Sequence, residues 1–447
     1  MNRSRTFRAS ETGLLSTDRR TGATVHVPAD FPFRQMLAVR GTDLLDPERK
    51  VLSPFRYVDG RTIAGAEHVG VVETAGTVVE LLPKTWSPGQ DPSMARAALE
   101  AMLESYVDQG RLSPRRSARR LQQAHLRATP MSVGERILQR FTAEAEAVMQ
   151  AGIRFGYSPV QEQHPFLRGR LDVARQIRQM PGKEHLFHLR HTRFHPSRPE
   201  NRLIKSALLR VAGRSRDPIL RTRAAQLAEI MHDVPASQTV RHDLAQWDSG
   251  RLLAHYAAVR PWCRLVLEPV VGLTAGSQLG EAWLWRTDRM FERHLEVRLR
   301  ARLETADQHL ELVAQGGPRR HLGVNAAGEG AFRLKPDLAL RRAGEFVAVL
   351  DAKWKQTDGV PSEDDAYQMF AYGHRFLSGR GPVVLVYPST PRFTAPVRYR
   401  MGELRLVAVP FDVVADRFLI GSDTGIAEAL GNELHRLLAL DPVPDIR

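Results

Sequence analysis

The last third of the chain changes its hydrophobic period every few residues, and that alternation restricts the folds open to it. Phe332–Leu340, Phe346–Asp351, Pro382–Tyr387 and Leu404–Phe411 are short apolar runs of strand length. Glu363–Leu377, between the second and third, carries apolar residues at helical spacing. Trp283–Leu303, ahead of them all, reads as one long amphipathic helix. Helix, two strands, helix and further strands describe a small α/β sheet with helices packed on it.

The remainder divides by pattern, giving an α+β multidomain chain. Residues 1–90 read as β-rich: Val69–Glu73 and Val78–Leu82 flank Ala75-Gly76, the composition of a hairpin. Trp86–Pro92 is a loop or linker. Residues 91–275 are mainly helical, with Ala97–Val107 and Ile137–Met149 the clearest segments and Gly152 a C-cap. Pro114–Arg120 is a basic run read as a solvated face. Residues 276–420 hold the α/β sheet, and 421–447 a terminal helix or tail.

At 447 residues the chain has room for about three domains. A net charge of +14 and a pI near 10.4 favour a polyanionic partner, nucleic acid first. One cysteine, Cys263, excludes an internal disulfide framework and a cysteine-ligated cluster or zinc ribbon. No apolar run is long enough for a membrane span, and Met1–Arg5 precedes no apolar core, so a cytoplasmic location is expected. Four histidines crowd into His185–His195, but without cysteine and with arginine interleaved they suit a basic surface better than a zinc site.

Seven of the 64 basic residues are lysine, so a lysine here stands where arginine would not serve. Lys353 closes the run Lys335-Pro336-Asp337 … Asp351-Ala352-Lys353. With Asp337 in one strand and Asp351 ending the next, about 4.8 Å away, two carboxylates can share a divalent cation. Asp351 and Lys353, two apart, share a face of an extended strand. The Ala352 carbonyl adds an oxygen, and a hard-oxygen site suits Mg²⁺ or Mn²⁺. Such a cation activates water and offsets phosphate charge, which points to phosphodiester cleavage. On the next helix Gln368 and Tyr372 stand four apart, with Arg375 continuing their face. Tyr367, Phe370 and Ala371 form its expected packing stripe. Glu292, on the long helix, could complete the metal shell.

These residues resemble the PD-(D/E)xK nuclease superfamily, and Gln368-x-x-x-Tyr372 resembles the helix motif of its RecB-like branch. The wider chain is similar to the McrC family of McrBC-type modified-DNA restriction systems. That likeness rests on Val69–Val72, Val79–Lys84, Gly152–Tyr157, Leu167–Leu171, Pro199–Lys205, Met290-Phe291-Glu292 and Asp351–Lys355, in the expected order. The chain is long for the family, before Val69 and through the helical middle. The resemblance implies a restriction-endonuclease-like C-terminal domain that cuts double-stranded DNA. Asp337, Asp351, Lys353, Gln368 and Tyr372 would be catalytic, Asp337, Asp351 and Glu292 would hold metal, and Arg375 and Lys355 would contact DNA. It also implies a hexameric McrB-like AAA+ GTPase as partner, with residues 1–90 docking on it and its GTP hydrolysis stimulated. GTP would be bound by the partner, since the chain has no G-x-x-x-x-G-K-[ST] loop. The alternatives are a non-catalytic DNA-binding adaptor of an AAA+ ring, or a stand-alone RecB-like nuclease.

Overall fold

The computed structural model describes residues 5–18, 25–39, 41–42, 50–51, 54–74, 76–87, 89–108, 131–248, 250–268, 270–271, 281–306, 309–315, 320–421 and 423–439. The basic run Pro114–Arg120 lies outside them. The chain forms two compact units, Met1–Gly134 with Pro269–Arg447, and Glu135–Glu268.

In the first unit, β1 (Arg5–Ser10) runs parallel to β3 (Thr77–Leu82), which pairs antiparallel with β2 (His68–Thr74). Thr74 faces Thr77 across the pair, and Gly76 stands before Thr77 at φ 75°. The far side of β2 pairs with β4 (Glu281–Arg286). The expected Trp283–Leu303 helix is therefore wrong at its start. Its first residues are a strand, and the helix proper is α1 (Thr287–Ala306). Trp283-Leu284-Trp285 is apolar at every position, and such a run fits a buried strand as well as a helix. Gly70 is what lets β2 and β4 meet: at φ 133°, a Cβ there would stand 1.9 Å from the Trp283 carbonyl oxygen. Ala9, Leu15, Ile63, Val72, Val79, Leu81 and Leu284 fill the core beneath.

The same unit contains a mixed sheet in the order β5 (Leu310–Ala314), β6 (Leu338–Arg342), β7 (Glu345–Ala352), β8 (Gly381–Pro388), β10 (Leu404–Asp412), β9 (Val397–Met401). β7–β8 and β8–β10 are parallel, and the other pairs are antiparallel. β7 and β8 are apolar along nearly their whole length because both faces are covered. α2 (Glu363–Leu377) makes the crossover between them. The Ser362 hydroxyl accepts the Asp365 amide at 3.3 Å as its N-cap, three acids fill its first turn, and His374 and Arg375 lie in its last.

Two expectations need correction here. Asp337 does not lie within a strand: Gly330–Leu334 pairs with Arg320–Val324 as a hairpin, and β6 begins only at Leu338. Pro336, with no amide hydrogen and a fixed φ, separates the two. The packing face of α2 is Met369, Tyr372, Gly373 and Phe376, whereas Tyr367 and Phe370 are 69% and 44% exposed. Both sets have helical spacing, and Gly373 decides between them: a Cβ there would meet Leu404 at 2.5 Å, so α2 approaches β10 through that residue.

The helix expected at Ile137–Met149 runs from Val133 to Ala151, and Pro199–Arg214 and Pro218–Ile230 are further helices of the second unit. A small antiparallel sheet of Gly156–His164, Phe187–His195 and Arg170–Leu171 was not expected. His188 and His195 lie in its long central strand and meet Gln163 at 2.8 Å and Ser158 at 2.9 Å on the neighbouring one, not each other. Lys205 gives its ammonium to the Ala228 and Met231 carbonyls at the end of a helix, where a cation complements the dipole. No helix of the described residues is long and apolar enough to cross a membrane.

Candidate active site

The sheet and α2 bring Asp337, Asp351, Lys353, Gln368 and Tyr372 together. Asp351 is the penultimate residue of β7. β7 then stops pairing regularly, but the Lys353 amide still donates to the Val386 carbonyl of β8 at 2.8 Å, which holds Lys353 close to the sheet. Its ammonium lies 2.7 Å from Asp351 Oδ2 and donates to Gln368 Oε1 at 2.6 Å. Gln368 Nε2 donates in turn to the Tyr372 hydroxyl at 3.0 Å. Asp337 joins from the residue just ahead of β6: its Oδ2 accepts the Ala352 amide at 2.8 Å. The antiparallel register, with Leu338 opposite Leu350, brings these two strand ends side by side.

The electrostatics follow from burial. Burial, followed by the Asp351 and Glu292 carboxylates, lifts the Asp337 carboxyl to about 8. Burial also lifts Asp351, in spite of its ion pair with Lys353. For Lys353 burial acts downward, but Asp351, Asp365 and Asp337 outweigh it and leave the ammonium held above its ordinary value. Glu292 is raised by burial and accepts from Gln315 Nε2 at 3.0 Å. It adds to the negative field without closing a three-acid cage: among the described residues no three His, Cys, Asp or Glu side chains are grouped to grip a metal. Two carboxylates and the Ala352 carbonyl remain, a hard donor set of the kind that suits Mg²⁺, which keeps several waters. The excess of buried negative charge fits a cation for the same reason that it lifts Asp337.

Lys355 and Arg375 are placed differently. The Lys355 ammonium is engaged by Asp365 at 2.9 and 3.0 Å. Arg375 is exposed in the last turn of α2. Asp365, to which the sequence reading gave no role, is buried one turn before Gln368 and lies 3.7 Å from Lys353. Three residues before Gln368 on a helix, it stands on that residue's side of α2, which was a usable signal.

A family model described as "McrBC 5-methylcytosine restriction system component" matches residues 64–388. The chain belongs to that family. No curated protein matches this McrBC-family chain in sequence. Among solved structures it is similar to one described as a refined half-complex from a tetradecameric assembly of Thermococcus gammatolerans McrB AAA+ hexamers with bound McrC. That match has 17% identity and a TM-score of 0.66, over 97% of this chain and 100% of the other. A second similar structure, the T. gammatolerans McrBC complex, has 17% identity and a TM-score of 0.46, over 67% of this chain and 88% of the other. At such identity the first likeness establishes the fold of the McrBC-family chain.

Proposed function

We propose that this chain is the DNA-cleaving subunit of a GTP-dependent McrBC-type restriction complex, with its β5–β10 sheet a PD-(D/E)xK endonuclease fold. The observation that carries the reading is Lys353, whose ammonium is held between Asp351 and Gln368 beside a second buried carboxylate, Asp337. Asp337, Asp351 and the Ala352 carbonyl would hold Mg²⁺ or, in its place, Mn²⁺. Bound there, the cation supplies an activated water and charge compensation at the phosphate.

Lys353, held charged, acts as a donor: it orients the attacking water or binds a non-bridging phosphate oxygen, and it does not take up a proton. Gln368 fixes its reach, and Tyr372 fixes Gln368. Asp365 draws Lys355 to the same rim, where both lysines can meet a backbone phosphate. The net charge of +14 favours approach to the duplex.

The partner in this reading is an AAA+ GTPase of the McrB kind, supported by the similar McrC bound to McrB hexamers. That partner binds the GTP, and this chain stimulates its hydrolysis. The family's description supports methylcytosine-containing DNA as the target. The test mixes the purified chain and such a partner with methylated and unmethylated plasmid, GTP and Mg²⁺. Cutting of methylated plasmid is expected, lost in Asp351→Ala and Lys353→Ala while GTPase stimulation persists. Retained cutting by the double variant refutes the nuclease reading. GTPase stimulation without cutting by the wild type identifies an adaptor.

A further inference from the structure

Outside the cluster just described lies another buried acid with a full set of partners. Glu11, in the turn after β1, is 0% exposed. Its own amide donates to the Leu82 carbonyl at 2.8 Å, and its carbonyl accepts from the Glu67 amide at 3.1 Å, so its backbone belongs to the N-terminal sheet. Its carboxylate reaches away from that sheet. Oε1 accepts from the Trp354 indole nitrogen at 2.6 Å and from the Lys84 amide at 3.3 Å. Oε2 accepts from the Thr287 hydroxyl, and the Lys84 ammonium lies 3.8 Å from Oε1. Every partner is a donor. Burial pushes the Glu11 carboxyl up, and these donors pull it back.

Two of the segments so gathered carry the site. Trp354 follows Lys353 directly, at the point where β7 has stopped pairing. Thr287 opens α1, which presents Glu292 little more than a turn later. The Trp354 ring packs against Phe291 with centroids 5.1 Å apart, joining the same two segments a second time. Gln356 Nε2 donates to the Lys84 carbonyl at 2.5 Å, a further link between the end of β3 and the residues after Lys353. The stretch 353–356 is thus held from the sheet by Val386 and from the N-terminal region by Glu11 and Lys84. Packing alone does not call for a carboxylate here, because an apolar side chain of similar volume avoids the cost of burying the charge.

We infer that Glu11 is a positioning residue for the cleavage site: through Trp354 and Thr287 it fixes where Lys353 and Glu292 stand relative to Asp351. The inference rests on the nuclease reading for its consequence, and its geometry can be tested separately. The N-terminal sheet is then part of the scaffold of the active site. A displacement of about 1 Å at such a site costs on the order of 100-fold in rate, so the side chain has leverage far from the chemistry.

The test uses the full chain with its GTPase partner and three variants. Glu11→Ala removes the acceptor, Glu11→Gln keeps an acceptor oxygen of the same reach, and Trp354→Phe keeps the ring on Phe291 but removes the donor. Two quantities are read: plasmid cleavage, resolved into kcat and KM for DNA, and hydrogen exchange of the 352–356 and 287–293 amides in the chain alone. Glu11→Ala and Trp354→Phe are expected to lower kcat by about 10- to 100-fold with KM unchanged. They are also expected to speed exchange in those two segments and not in 381–388, and Glu11→Gln is expected to recover most of both. Unchanged exchange in Trp354→Phe overturns the inference, as does faster exchange with undiminished kcat. A wild type that cuts nothing overturns the nuclease reading instead, and the exchange measurements still decide whether Glu11 holds these segments.

Discussion

Asp337→Asn is expected to stabilise the protein while abolishing cleavage, and the stabilisation is expected to grow with pH. In the fold the Asp337 carboxyl is lifted from 3.8 to about 8 by burial and by the facing Asp351 and Glu292. A folded state that holds its proton more tightly than the unfolded chain loses stability as pH rises through that window, and the loss levels off above about 8. At ~1.4 kcal/mol per pH unit the whole window amounts to roughly 6 kcal/mol, of which only about 2 kcal/mol has accrued by pH 5. The amide of the variant does not titrate, yet its oxygen can still accept the Ala352 amide as Asp337 Oδ2 does at 2.8 Å. Thermal unfolding in chelator is therefore expected to show a rise in the midpoint of several degrees at pH 8.5 and about a third of that at pH 5. Added Mn²⁺ is expected to raise the wild-type midpoint at pH 8.5 and to leave the variant's unchanged, since a ligand stabilises only the state that binds it. An equal displacement at both pH values, or none at pH 8.5, refutes the electrostatic account of the site.

Lys353→Arg is expected to reduce plasmid cleavage by at least ~100-fold with an unchanged circular dichroism spectrum, because a forked guanidinium cannot replace a compact ammonium between Asp351 and Gln368. Gln368→Ala leaves Lys353 with one anchor fewer and is expected to cost ~10-fold in kcat; Tyr372→Phe, which removes the acceptor for Gln368 and for the Lys335 backbone and leaves the Lys353–Gln368 bond in place, is expected to cost less, both read from initial rates. In the second unit, buried Asn201 donates to the Arg154 and Pro196 carbonyls and accepts the Tyr256 hydroxyl at 2.7 Å. Asn201→Ala removes these three hydrogen bonds from a buried site and is expected to cost ~2–4 kcal/mol in urea unfolding.

The parts of the fold legible in sequence were those with local signals. β7, β8 and α2 announce themselves by apolar runs, a serine cap and acids in the first helical turn, and Asp351 and Lys353 stand two apart where β7 ends. The face that α2 buries was misread because its exposed aromatics Tyr367 and Phe370 have the same spacing as the buried set, and only the proximity of Leu404 to Gly373 separates them. Asp337 was assigned to a strand because the run Phe332–Leu340 joins the end of the hairpin strand Gly330–Leu334 to β6 across Lys335-Pro336-Asp337. Glu11 had no local signal at all. Its side-chain partners are Lys84, Thr287 and Trp354, 73, 276 and 343 residues along the chain, and a lone glutamate near the N-terminus looks like any solvated acid.

The pairing of β2 with β4 also dictates an order of assembly. Val71 meets Trp283, so the whole second unit is translated between one strand and the partner that covers its edge. Until residue 286 has left the ribosome, β2 presents an unpaired, apolar edge around Val69 and Val71, and an edge of that kind templates intermolecular pairing. Closing so long a loop costs entropy before the contacts it makes return it, so the N-terminal sheet is expected to form slowly. Chains halted within the second unit are accordingly the ones expected to need a chaperone.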